Sequence, residues 1–186
     1  MSERTRPVVV IVGPPGAGKS TVAEALATRL GVTVRDTDAD VEAVAGTSVQ
    51  DVFVDHGEAH FRVLEEDAVA KALDEHDGVL ALGGGAVLSE RTRERLRDHR
   101  VLFLDVGLTQ AVRRVGLGTG RPLLLGNVRA QLKQLMDARG VLYREVADLT
   151  VVTDALDADQ VVDQALALIS ADPPPAAAIH PRQEDR

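Results

Sequence analysis

Cysteine and tryptophan are absent from this 186-residue chain, and tyrosine occurs once. Without cysteine there is no disulfide, no thiolate nucleophile and no cysteine-ligated metal. One Tyr and three Phe give bases no stacking platform, and a formal charge of −8 has the wrong sign for a phosphate backbone. Nucleic acid is therefore set aside as a partner, and a small-molecule substrate is favoured. No apolar run approaches the roughly 20 residues of a membrane helix. The polar residues 1–7, followed by a short apolar run that ends in a Gly/Pro-rich loop, read as neither a signal peptide nor a membrane span. A cytoplasmic protein with no membrane contact is the expectation. The five histidines show no pair with convincing metal spacing. The arginines of 91–97 alternate with Glu90, Glu94 and Asp98 at helical spacing, as on a solvated helix face.

The rest of the composition is that of a folded globular chain. At 45% hydrophobic residues the length suits one domain, expected over 1–170. Residues 171–186, with three consecutive prolines and a charged end, read as a disordered tail. Short β-rich runs at 8–12, 32–35, 79–82, 101–105 and 149–152 alternate with helical patterns at 19–30, 49–56, 58–73, 90–97, 109–115, 130–146 and 159–169. Strict βα alternation argues for an α/β fold with a doubly wound parallel sheet and helices on both faces. Such sheets bind ligands at the carboxyl ends of their strands, which is where the chemically distinctive residues fall.

After the first strand comes Gly13-Pro14-Pro15-Gly16-Ala17-Gly18-Lys19-Ser20, a complete G-x-x-x-x-G-K-[ST] phosphate-binding loop that leads into a helix. Gly16 and Gly18 let the backbone curl and aim N–H groups at phosphate oxygens, and the helix dipole adds positive potential. Lys19 is placed to span the β- and γ-phosphates, and the Ser20 hydroxyl to ligate Mg²⁺, with Thr21 completing the helix start. A nucleoside triphosphate with Mg²⁺ follows. The loop alone leaves the fate of the γ-phosphate open, because motors, switches and kinases share it.

After the second strand, Asp36-Thr37-Asp38 offers two carboxylates. In extended geometry both point into the cleft, one for a metal-bound water and one for a substrate hydroxyl; alternatively they cap a helix. Gly83-Gly84-Gly85 after the third strand suits a wall that a ligand approaches closely. The glycine-spaced segment with Arg121 reads as a mobile lid over about 116–127, its arginine meeting the transferring phosphoryl group. On spacing alone Arg62 and Arg139, each in a helix-patterned region, read more readily as exposed surface charges than as site residues.

Taken together, G-P-P-G-A-G-K-S-T (13–21), D-T-D (36–38), F-R-x-x-E-E (61–66), L-G-G-G-A-V (82–87), R-P-L-L (121–124) and R-x-x-x-Y (139–143) resemble the shikimate kinase family over nearly all of 7–170. The resemblance implies a P-loop, nucleoside-monophosphate-kinase-like fold, a three-layer αβα with a five-stranded parallel sheet in the order 2-3-1-4-5. It implies transfer of the ATP γ-phosphate to the 3-hydroxyl of shikimate, and a self-contained substrate cleft makes a monomer the default. It also implies that Asp38, Arg62, Gly83, Gly84, Gly85 and Arg139 bind shikimate, that Gly16, Ala17, Gly18, Lys19, Ser20, Thr21, Arg114 and Arg121 bind ATP, and that Lys19, Asp38 and Arg121 are catalytic. Ser20, and Asp36 through water, would hold Mg²⁺. Where many relatives carry a basic residue near the adenine, this chain has Thr153-Asp-Ala-Leu-Asp-Ala158, so backbone groups would serve there. A gluconate kinase shares the loop but is not expected to combine D-T-D, G-G-G and both arginines. A guanine-specific switch would carry N-K-x-D, yet the sole asparagine, Asn127, is followed by Val128. An ATP-binding regulator is separable only by assay.

Overall fold

The computed structural model describes residues 6–119 and 125–171. Arg121 and the tail from 172 onward lie outside the described residues. Strands β1 (Val9–Val12), β2 (Val34–Asp36), β3 (Val79–Ala81), β4 (Val101–Asp105) and β5 (Leu149–Val152) form one parallel sheet in the order β2-β3-β1-β4-β5. Helices α1 (Lys19–Leu30), α2 (Thr37–Ala45), α3 (Val49–Glu75), α4 (Glu90–Leu96), α5 (Leu108–Thr119), α6 (Leu125–Val146) and α7 (Ala158–Ala171), with a short 3-10 helix at Ala86–Leu88, complete the described elements. The expected fold class and strand order are both present.

Every residue of β1 is buried, as a central parallel strand covered on both faces requires. Alternate side chains serve the two layers. Val9 and Ile11 pack with Val22, Ala23 and Leu26 of α1 and Val161, Val162 and Ala165 of α7. Val10 and Val12 pack with Val69 and Leu73 of α3, Leu96 of α4 and Tyr143 of α6. Fully burying Leu26 contributes about 1.5–3 kcal/mol. Helix α1 stops where Gly31 turns left-handed at φ 68° and its N–H closes onto the Ala27 and Thr28 carbonyls.

Three boundaries differ from the expectation. The second strand ends at Asp36, and α2 starts at once, because the Asp36 side chain accepts from the Asp38 N–H and caps the helix. The patterns at 49–56 and 58–73 join into one bent helix through Gly57, whose φ of 80° makes the kink. Helix α5 runs to Thr119 and α6 starts at Leu125, beyond the expected bounds at 115 and 130, while residues 120–124 of the expected lid lie outside the described residues. Helix extension fixes one residue per added hydrogen bond, so glycines at a helix end need not stop it. Helices α2 and α3 enclose a small core of their own, with Val41, Val52, Phe61 and Ala68 at its centre. It stands beside the carboxyl edge of the sheet and brings Asp38 and Arg62 to the strand ends.

Candidate active site

Between β1 and α1 the loop adopts the conformations its glycines permit, φ 80° at Gly16 and 90° at Gly18. A Cβ at Gly16 would stand 2.8 Å from the Ala111 carbonyl oxygen, so the close approach of α5 requires glycine as well. Lys19 folds back over the loop, its Nζ donating to the Gly13 and Pro14 carbonyls at 2.8 and 3.2 Å. Burial lowers its pKa to about 8, and the Arg139 charge pushes the same way against Asp38 and Asp36. A cation this desolvated gains strongly from an incoming polyphosphate.

Beside the loop lies a cavity of about 640 Å³, lined by Gly16 to Thr21 and by Arg114, Leu156, Asp157 and Val161. The Arg114 guanidinium donates to the Gly16 carbonyl at 3.2 Å, the Thr153 hydroxyl at 3.1 Å and the Thr153 carbonyl at 2.9 Å. The loop after β5 has no cation, but it is fixed: the Asp154 carboxylate accepts from the Gly107 N–H. The cavity thus joins the phosphate-binding backbone to a guanidinium that bridges the loop and the segment after β5.

The paired acids divide their work. Asp36 accepts from the Ser20 hydroxyl at 3.1 Å and from the Asp38 N–H at 2.9 Å, so it is both a helix cap and the neighbour of the loop serine. The carboxylate and hydroxyl form a hard-oxygen pair suited to Mg²⁺, directly or through water. Among the described residues no group of three or more His, Cys, Asp or Glu could hold a metal unaided, so phosphate and water oxygens would complete the shell. Asp38 instead faces the glycine wall. Burial, then the Asp36 charge, raises its pKa above the usual carboxylate range.

The wall itself needs glycine. A Cβ at Gly83 would overlap the Asp38 carboxylate, and one at Gly85 would overlap the Arg62 guanidinium. The Gly83 N–H donates to the buried Thr37 hydroxyl at 3.1 Å, which ties the acid motif to the wall. Arg62 is held by Glu65 at 2.6 Å and Glu58 at 3.0 Å, with the rings of Phe61 and Phe53 5.2 and 5.8 Å away. The Arg139 charge reaches Lys19, Glu65 and the Tyr143 phenol, so this arginine too belongs to the cleft. The Arg62 charge reaches Asp38, and the charges of both arginines reach Glu65.

Residues 15–170 match the family model described as Shikimate kinase. The chain belongs to the shikimate kinase family. The shikimate kinase of Salinispora arenicola is 58% identical over 165 residues, covering 89% of this chain and 99% of that one. That of Saccharopolyspora erythraea is 56% identical over 167 residues, 89% of this chain and 95% of its own. The solved structure of shikimate kinase from Acinetobacter baumannii in complex with shikimate has a TM-score of 0.82 at 33% identity, over 91% of this chain and 95% of that chain.

Four residues of this shikimate kinase family member received no individual role from sequence reasoning: Thr37, Glu65, Tyr143 and Thr153. All are buried. Glu65 stands three residues after Arg62, the helical spacing of an ion pair, and was legible in principle. Thr37, Tyr143 and Thr153 act on groups 46, 59 and 39 residues away, so only the tertiary fold reveals them.

Proposed function

We propose that this cleft transfers the γ-phosphate of ATP to the 3-hydroxyl of shikimate, giving shikimate 3-phosphate and ADP for aromatic amino acid biosynthesis. The observation that carries the reading is the meeting of three groups at the ends of β1, β2 and β3: buried Lys19, Asp38 against the glycine wall, and Arg62 locked by Glu65.

In this reading the backbone N–H groups of Gly16, Ala17, Gly18, Ser20 and Thr21 cradle the phosphates, and Lys19 leaves the Gly13 and Pro14 carbonyls for the β- and γ-phosphate oxygens. Arg114, fixed by three hydrogen bonds, offers its flat face to adenine. Arg62 and Arg139 pair with the shikimate carboxylate, and Gly83 to Gly85 let the ring approach the main chain. Asp38 orients the 3-hydroxyl toward the γ-phosphorus. As the new O–P bond forms and the β–γ bridge bond breaks, the hydroxyl proton passes to Asp38 and the electron pair leaves with ADP. Arg121 neutralises charge on the transferring group and helps exclude water. Mg²⁺, held by Ser20 and by Asp36 through water, supplies charge neutralisation to the phosphate oxygens when bound. Monomeric, cytoplasmic operation without nucleic acid completes the reading. Among the described residues no helix is long and apolar enough to cross a membrane.

The test is ATP turnover with Mg²⁺ in the presence of shikimate, of gluconate or of no acceptor, with product identified by mass. Phosphorylation of shikimate alone is expected. Tight ATP binding without transfer to shikimate would refute the assignment and leave the phosphate loop standing.

A further inference from the structure

The glycine wall has no side chains with which to hold itself in place, and glycine backbone is the most permissive of all. Its order must come from groups outside it. The Ala86 and Leu88 N–H groups close local turns onto the Gly83 and Gly85 carbonyls, and two side chains tie the wall to the rest of the fold: Thr37 accepts from the Gly83 N–H, and the Tyr143 hydroxyl donates to the Gly84 carbonyl at 2.5 Å. Tyr143 is itself rigid, 1% exposed and stacked on Phe103 of β4 with ring centroids 5.3 Å apart. It follows Arg139 by four residues on α6, so the two share one face of the helix, and the guanidinium interacts with the phenol oxygen. At the same spot the wall meets the phosphate loop, since a Cβ on Gly84 would lie 3.5 Å from both the Gly13 carbonyl oxygen and Pro15 Cδ.

We infer that Tyr143 is a positioning residue for the acceptor: one buried phenol fixes the Gly84 carbonyl and steers Arg139, setting the acid-binding half of the cleft against the phosphate loop. The inference rests on the placement of shikimate against Gly84 and Arg139. Burial keeps the phenol protonated, with a pKa near 12, so the donor persists across any working pH.

The experiment is steady-state kinetics of full-length Tyr143→Phe. That change keeps the ring and its stacking but strips the donor from a buried carbonyl. The KM for shikimate should rise about tenfold while the KM for ATP stays within about twofold. A purely structural tyrosine would lower thermal stability and affect both substrates alike; that result, or an unchanged KM for shikimate, would overturn the inference. A second measurement needs no variant. With one tyrosine and no tryptophan, the intrinsic fluorescence of the wild type reports Tyr143 alone. Saturating shikimate without nucleotide should change that emission and gluconate should not; emission blind to shikimate overturns the inference even if the variant fails to fold. Absence of shikimate turnover by the wild type is a separate result, which removes the functional reading and this inference with it.

Discussion

Arg62 and Glu65 face each other across one turn of α3, guanidinium to carboxylate at 2.6 Å, with the Glu65 side chain 4% exposed and that of Arg62 24% exposed. The pair is asymmetric: Glu65 sits in the protein and Arg62 reaches out of it toward the cleft. Burial pushes the Glu65 pKa up and the arginine beside it pulls the other way, so the carboxylate depends on its partner. Its role is to aim Arg62. Glu65→Gln should raise the KM for shikimate about 5- to 20-fold and leave kcat within about threefold, because Glu58 still holds the guanidinium. Glu65→Ala should do more, with about 1–3 kcal/mol of lost stability from the unfilled space and the weakened pair. Kinetics and thermal melts of both variants check this; a Gln variant with normal KM would show that Arg62 needs no aiming.

Gly85 offers a test of the same arginine from the opposite side. Its φ of −96° suits any residue, so no backbone strain accompanies Gly85→Ala. The new methyl would occupy the space of the Arg62 guanidinium and push it off the buried Glu65 carboxylate. Stability should therefore fall by about 1–3 kcal/mol, while shikimate KM rises about tenfold or more and ATP KM stays put. An equal loss for both substrates would mean that the glycine wall serves the phosphate loop instead.

What the sequence made legible was whatever depends on local pattern. The phosphate loop could be read because eight consecutive residues carry it, and β1 because an uninterrupted apolar run suits a strand buried on both faces. Helix α2 was not legible: its mean hydrophobic pattern is short, and the capping Asp36 reads equally well as an extended acid. In the structure Asp36 is a cap and also the neighbour of Ser20, so the two alternatives for that residue were not exclusive. Arg62 and Arg139 became site residues through family resemblance, since their spacing on α3 and α6 is that of any exposed arginine. Thr37 and Tyr143 stand inside the family motifs, but their roles could not be read because each holds a glycine backbone atom across a gap of more than 40 residues, which no local periodicity encodes.

Asp38 carries the proton-transfer step of the proposed mechanism, and Asp38→Asn separates orientation from basicity. Asparagine keeps the shape and one acceptor oxygen, and it relieves the repulsion from Asp36 that helps raise the carboxylate pKa. The fold should survive, and shikimate binding should weaken by no more than about tenfold. Turnover should fall by about 10² or more, in the range typical of a lost general base. Shikimate binding followed by calorimetry, set beside kcat, gives the answer. Near-normal kcat with substrate bound would leave Asp38 as an orienting group only.

The single tyrosine makes the alkaline limit of this protein readable. Burial raises the Tyr143 pKa to about 12, against about 10 for an exposed phenol, because tyrosinate would have to form among Phe103 and the β3–α6 packing without water. The folded pKa lies above the unfolded one, so the stabilisation is complete below about pH 10 and is lost as pH rises toward about 12. A two-unit shift corresponds to about 3 kcal/mol, withdrawn over that window. Tyrosinate absorbance of the native protein should therefore stay flat through about pH 10 and rise only near 12 or together with unfolding, whereas the denatured chain titrates near 10. Thermal melts should show wild type losing more stability than Tyr143→Phe between neutral pH and about pH 11, since the variant has no phenol to ionise. Tyrosinate appearing near pH 10 with circular dichroism unchanged would mean that water reaches the hydroxyl, and the bond to the Gly84 carbonyl could then not be the rigid link between α6 and the glycine wall.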